Sequence, residues 1–133
     1  MSNIELLFVA AKSAMDKAYA PYSKFQVGAA VLGSNGEIYQ GANVENSSYP
    51  EGCCAEASAI SAMVMGGEHH ISAIAVIGLG DGLVTPCGGC RQRIREFASP
   101  ETPIYILGAD GLRETFTLNQ LLPVSFGPDN LQV

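Results

Sequence analysis

Tryptophan is absent from this 133-residue chain, and only 8% of its residues are aromatic. Polynucleotide binders stack successive bases on aromatic side chains along a basic groove. With 7 basic against 13 acidic residues, a net charge of -6, the chain lacks that groove as well. Both features argue against gripping a phosphate backbone. Charged residues of either sign make up only 15%, while apolar residues make up 47%. No apolar run approaches the roughly 18 residues of a membrane span. The N-terminus has no basic start followed by an apolar stretch, which gives a cytoplasmic expectation. So apolar a surface is most simply hidden between subunits. The length fits one domain, residues 1–133, with a substantial core.

Cysteine is scarce and clustered. It occurs at positions 53, 54, 87 and 90 and nowhere else. A disulfide framework would scatter its thiols through a small secreted chain, whereas paired thiols in a reducing compartment point to metal. Pro86-Cys87-Gly88-Gly89-Cys90 supplies a Cys-x-x-Cys pair at the start of a predicted helix, and Cys54-Ala55-Glu56 supplies a third sulfur at the start of another. Tetrahedral zinc takes thiolates readily, and three protein ligands leave a fourth position for water, the mark of a catalytic site. Glu56 falls beside that open position, where a carboxylate can serve as a base.

The helical period of Ile4, Leu7, Phe8, Ala11 and Met15 after a Ser2/Glu5 capping box predicts a first helix over residues 3–18. Strands follow at 25–32 and 38–41, joined by the turn Ser34-Asn35-Gly36. Residues 42–52 read as loop. An apolar helix runs from Cys54 to Gly66-Gly67, then a continuous apolar strand from Ile71 to Leu79. The Cys87 helix reaches about Phe97. Strands at 104–107 and 113–116 and a short helix capped by Thr117 complete the chain. This alternation after an opening hairpin implies an α/β fold, a mixed sheet with helices on both faces.

Tyr19 to Ala30, Asn43-Val44-Glu45-Asn46, Cys54-Ala55-Glu56, Pro86 to Gln92 and Leu121-Leu122-Pro123 occur in the order and form in which they occur in the zinc-dependent cytidine deaminases of nucleoside salvage, and the chain resembles the short, three-cysteine members of that family over almost its whole length. The resemblance implies a three-layer α-β-α sandwich around a five-stranded sheet of order 2-1-3-4-5, and one Zn2+ per chain held by Cys54, Cys87 and Cys90. It implies hydrolytic deamination of cytidine and 2'-deoxycytidine, with zinc-bound hydroxide attacking C4 and Glu56 moving protons from water to N3 and to the departing amine. Asn43 and Glu45, alternate residues of one extended segment, can present an amide and a carboxylate to a sugar's hydroxyls. In the family this motif holds the ribose. The family likeness further implies that Phe25 packs against the base and that backbone groups at Ala55 and near Thr85 and Pro86 read its edge. It implies a homotetramer in which Ser47, Tyr49 and Phe126 reach a neighbouring subunit's pocket.

Three thiolates blunt the metal's Lewis acidity, so positive potential must be supplied by helix N-termini and by a donor to a sulfur. Some three-cysteine relatives place an Arg directly after the catalytic Glu. This chain has Ala57 there, and Arg91, following the last ligand, is the expected donor.

Several simpler readings compete. The thiols could form a structural knot completed by Cys53, although adjacent cysteines serve one ion poorly and Cys53 reads better as a packing thiol. His69 and His70 read as exposed polar residues in a turn, Gly78, Gly80 and Gly82 as a turn rather than a dinucleotide loop, and Met63 and Met65 as core or interface fillers. Rival functions are deamination of another small cytosine compound such as blasticidin S, polynucleotide editing, and a non-catalytic zinc-stabilised module. Asn43, Glu45 and Phe25 together favour the nucleoside.

Overall fold

The computed structural model describes residues 1–131, so the last two residues of the expected domain lie outside the described residues. Helix α1 spans Asn3–Met15, strand β1 Val27–Gly33, β2 Ile38–Ala42, helix α2 Ala55–Met65, β3 Ile71–Gly78, α3 Gly88–Phe97, β4 Pro103–Gly108, β5 Gly111–Thr117 and α4 Leu118–Leu121. The five strands form one sheet in the order β2-β1-β3-β4-β5. Only β3 and β4 run parallel, and α3 is their crossover. The other three pairings are antiparallel.

Strand alternation sorts the core into two layers. Ala29 and Val31 of β1, Ile74 of β3 and Ile104 and Ile106 of β4 pack on one face with Ala59, Ile60 and Met63 of α2 and Ile94 of α3. Ala30, Ala73, Ala75, Ile77 and Leu107 pack on the other with Leu7, Ala11 and Met15 of α1. Being covered on both faces, β3 is apolar almost throughout, and seven of its eight residues are buried.

Glycine sets how closely two helices approach. A Cβ at Gly28 would collide with the α1 backbone at Ala11 O and Met15 N, and one at Gly41 with the α2 backbone at Ala55 O and Ala59 N. The small residue at Gly41 therefore lets the first turn of α2 lie on β2 and fixes where Cys54 begins that helix.

Three differences from expectation bear on the site, the remaining strand ends shifting by one or two residues. Helix α1 ends at Met15, not residue 18, because Tyr19 bridges to Val44 and its N–H donates to Asn43 O at 3.0 Å. The strand expected from Phe25 starts at Val27, since Lys24 has φ 61 and Phe25 N–H is taken by Ser23 Oγ. The expected loop 42–52 carries order of its own: Val44 and Cys53 exchange two backbone hydrogen bonds of 2.9 Å, and Tyr49–Glu51 forms a 3-10 turn. That exchange anchors the chain immediately before Cys54.

Candidate active site

Cys54 and Cys87 occupy the same position in two helices. Each is the extended residue directly before the first helical one, of α2 and α3 respectively, and neither helix has a side-chain cap hydrogen bond there. The orphan N–H groups of both first turns are therefore free to act on the sulfurs, adding the positive ends of two helix dipoles. Cys90 lies one turn into α3 and is fully buried.

The three Sγ atoms lie within 4.8 Å of one another, the only such metal-ligating group among the described residues. Sulfurs about 2.3 Å from one tetrahedral zinc are roughly 3.8 Å apart, so this set fits the ion with little movement. The donor chemistry agrees. The Cys90 backbone N–H in the first turn of α3 holds the Cys87 thiol below its ordinary range. Burial first, and then the Cys87 charge, push Cys54 up, while burial and the charges of Glu56 and Cys54 push Cys90 up. A cation at the centre relieves that mutual repulsion. Among the described residues no fourth thiol joins them: Cys53 is exposed, its Sγ turned to Cys54 O at 3.6 Å, so it is neither the packing thiol expected of it nor part of a structural knot.

Glu56 is 4% exposed and lines a pocket of about 180 Å³ with Val27, Asn43, Cys54, Ala55, Val84, Thr85 and Cys87. Burial raises its carboxyl above the usual range, opposed by its own backbone N–H and by the Arg93 charge. A carboxyl so placed exchanges protons nearer neutrality than an exposed one.

A larger cleft, about 380 Å³, is formed by Tyr22, Ser23, Glu45, Asn46, Tyr49 and Gly52, from the same 43–54 segment. The motif is thus divided: Asn43 faces the metal pocket and Glu45 the cleft. Asn43 also clamps the entry to β1, accepting from Val27 N–H at 2.8 Å and donating to Phe25 O at 2.9 Å. Glu45 accepts from Tyr22 N–H at 2.9 Å, Ser23 N–H at 3.1 Å and Ser23 Oγ. The Ser23 hydroxyl, first among these donors, holds its carboxyl below the usual range. Of the other expected residues, Ala55 and Thr85 line the metal pocket, whereas Phe25 is half-buried outside its lining. Ser47, Tyr49 and Phe126 are exposed.

Arg91 is not the sulfur's donor. Its guanidinium is spent on Pro86 O at 2.7 Å, Leu121 O at 2.8 Å and Thr85 Oγ1 at 3.1 Å, which fixes the loop leading into Cys87. Being next to Cys90 in a helix, Arg91 points about 100° away from it. Arg93, three residues on and on the same face, brings Nη1 to 3.5 Å from Cys90 Sγ. That spacing was the signal available in the sequence.

A model of the cytidine and deoxycytidylate deaminase zinc-binding region matches residues 1–106. A cytidine deaminase of Sporosarcina psychrophila is 43% identical over 129 residues, 97% of this chain and 95% of the relative. One from Halalkalibacterium halodurans is 38% identical, covering 96% of each. Among solved structures, a cytidine deaminase from Burkholderia pseudomallei superposes with a TM-score of 0.86 at 39% identity, covering 95% of this chain and all of that one. With three converging thiols at two helix starts and a buried glutamate between them, the chain belongs to the zinc-dependent cytidine deaminase family.

Proposed function

We propose that this protein hydrolyses cytidine and 2'-deoxycytidine to uridine and 2'-deoxyuridine with release of ammonia, acting as one catalytic domain in pyrimidine salvage. The observation that carries this reading is the confinement of Cys54, Cys87, Glu56 and Asn43 to one small pocket. When bound by Cys54, Cys87 and Cys90, zinc supplies Lewis acidity and lowers the pKa of water from 15.7 towards about 7. The Glu56 carboxylate would accept one proton from the attacking water and pass it to ring N3, then accept the proton of the newly formed C4 hydroxyl and pass it to the exocyclic amine as the C4–N bond breaks and ammonia leaves. Burial suits Glu56 to both halves of that exchange, because its raised pKa narrows the gap between accepting and donating.

Asn43 and Glu45 orient the nucleoside through its sugar hydroxyls, each retaining acceptor capacity beyond the backbone groups it already holds. The Ala55 N–H and the backbone near Thr85 and Pro86 bind the pyrimidine edge, and Phe25 covers the base. Ser47, Tyr49 and Phe126 project from the surface and serve the pocket of a neighbouring copy in a homotetramer. The exposed Tyr22, Val44, Met65 and Leu79 supply apolar area for such an interface. No helix among the described residues is long and apolar enough to cross a membrane. Free clustered thiols suit the reducing cytoplasm.

The test is incubation of the purified zinc protein with cytidine, 2'-deoxycytidine, cytosine, cytidine monophosphates and blasticidin S, following ammonia and ultraviolet absorbance. Both nucleosides should be turned over and the metal-stripped protein should be inactive. Preference for cytosine, monophosphates or blasticidin S overturns the substrate assignment. Bound zinc without ammonia from any of them leaves a non-catalytic module.

A further inference from the structure

We infer that Arg93 is the positioning residue that offsets the negative charge of the three-thiolate site, acting through Cys90 from the second turn of α3. The inference concerns the metal site and rests on the zinc-deaminase reading only for its effect on turnover. Cys90 is fully buried, so solvent supplies its sulfur with no donors and a cation that meets it must come from a neighbouring side chain. Arg93 supplies one although it is exposed, placing Nη1 at 3.5 Å from Sγ.

The surroundings are cut to admit it. Ala57 and Arg93 line one groove between α2 and α3, together with Ile60, Ser61, Gln92 and Glu96. A longer side chain at position 57 would enter the space the guanidinium crosses. On the other side, a Cβ at Gly89 would lie 3.1 Å from Arg93 Nη1, tighter than most real contacts, although glycine is otherwise disfavoured inside a helix. Two small residues on two helices thus leave room for one cation. A thiolate that accepts an N–H bond gives less electron density to its metal, so the ion keeps more Lewis acidity than three unmodified thiolates would allow. The charge therefore comes from α3, in a chain whose α2 offers only Ala57 next to the glutamate.

The experiment uses Arg93→Gln, Arg93→Lys and the double variant Ala57→Arg/Arg93→Gln, each loaded with Zn2+ for kinetics and with Co2+ for spectroscopy without substrate. Removing an N–H bond from a thiolate raises its lone-pair energy, so Arg93→Gln should shift the sulfur-to-cobalt charge-transfer band to longer wavelength. In the zinc form it should lower kcat about 10- to 100-fold with KM little changed. Arg93→Lys and the double variant, which restores a cation from α2, should recover part of both effects. A band that does not move in Arg93→Gln overturns the inference, even if kcat falls. A band that moves while kcat holds overturns the offset as a contribution to turnover. The cobalt spectrum needs no substrate, so a wild type inactive on cytosine nucleosides but with a shifted band in Arg93→Gln would sink the proposed reaction and spare the Arg93–Cys90 contact.

Discussion

Two glutamates bracket helix α2 and are treated in opposite ways. Glu56, in its first turn, is 4% exposed, and burial raises its carboxyl above the ordinary range. Glu68, just beyond its end, is tied into the hairpin turn: Oε1 accepts from Ser34 Oγ at 2.6 Å and Asn35 N–H at 2.7 Å, and Oε2 from His69 N–H at 2.9 Å. The Ser34 hydroxyl and these backbone donors bring its pKa down to about 2. The same side chain is thus a fixed anion at one end of the helix and, at the other, a carboxyl with the raised pKa that the proposed proton transfers call for. Hydrogen-bond donors make the first, and burial away from water makes the second. A carboxylate surrounded by donors is holding a fold together, whereas one buried beside metal ligands is placed for chemistry.

Exchanging each carboxylate for an amide tests that contrast. Glu56→Gln keeps shape and packing but cannot move a proton, so turnover should fall by about 10²–10⁴ or more with zinc retained stoichiometrically. Steady-state kinetics beside a metal assay decide this, and a comparable rate in the variant would remove Glu56 from the reaction. Glu45→Gln, in the cleft, lies between the extremes. It loses a charged acceptor to Tyr22 and Ser23 and, under the proposed role, to the sugar, so kcat/KM should fall about 10- to 100-fold, mostly through KM. A change confined to kcat would argue against sugar binding.

Glu68→Gln should have the smallest effect, leaving kcat and KM as they are. Its signature is pH. A carboxyl whose pKa is depressed on folding contributes stability that is fully present above its ordinary pKa of 4.5 and is lost as pH falls towards about 2. Urea midpoints compared at pH 6 and pH 3 should therefore fall less in Glu68→Gln than in the parent. Equal losses would show that the ionised Glu68 anchor does not matter to acid stability.

Much of this was legible in the sequence because it depends on local periodicity. The Ser2/Glu5 capping box forms as expected, and Thr117 caps α4 with Gln120 in the same reciprocal manner. The apolar run from Ile71 becomes the central buried strand, Met63 is core, and His69 and His70 are exposed. Met65 is 86% exposed, so of the two roles expected for it the core one falls away. What failed did so where a distant partner overrides the local pattern. Tyr19 leaves the helical path to bridge Val44, and the i, i+2 rule that put Asn43 and Glu45 on one side assumes a regular strand, which a single bridge at Val44 does not provide. Arg91 was favoured for standing next to a ligand, but adjacency in a helix is divergence in space.

The types and spacing of four residues, Cys54, Glu56, Cys87 and Cys90, determined the metal chemistry, because thiolate preference and the Cys-x-x-Cys reach are local properties. Only the packing of α2 and α3 on one face of the sheet decided which cation meets the sulfur, how deeply Glu56 is closed off, and that Asn43 and Glu45 look into different cavities. Those outcomes depend on distances between segments far apart along the chain. Such distances are fixed by the close approach of helices to glycine-bearing strands and by the long-range pairing of backbone groups.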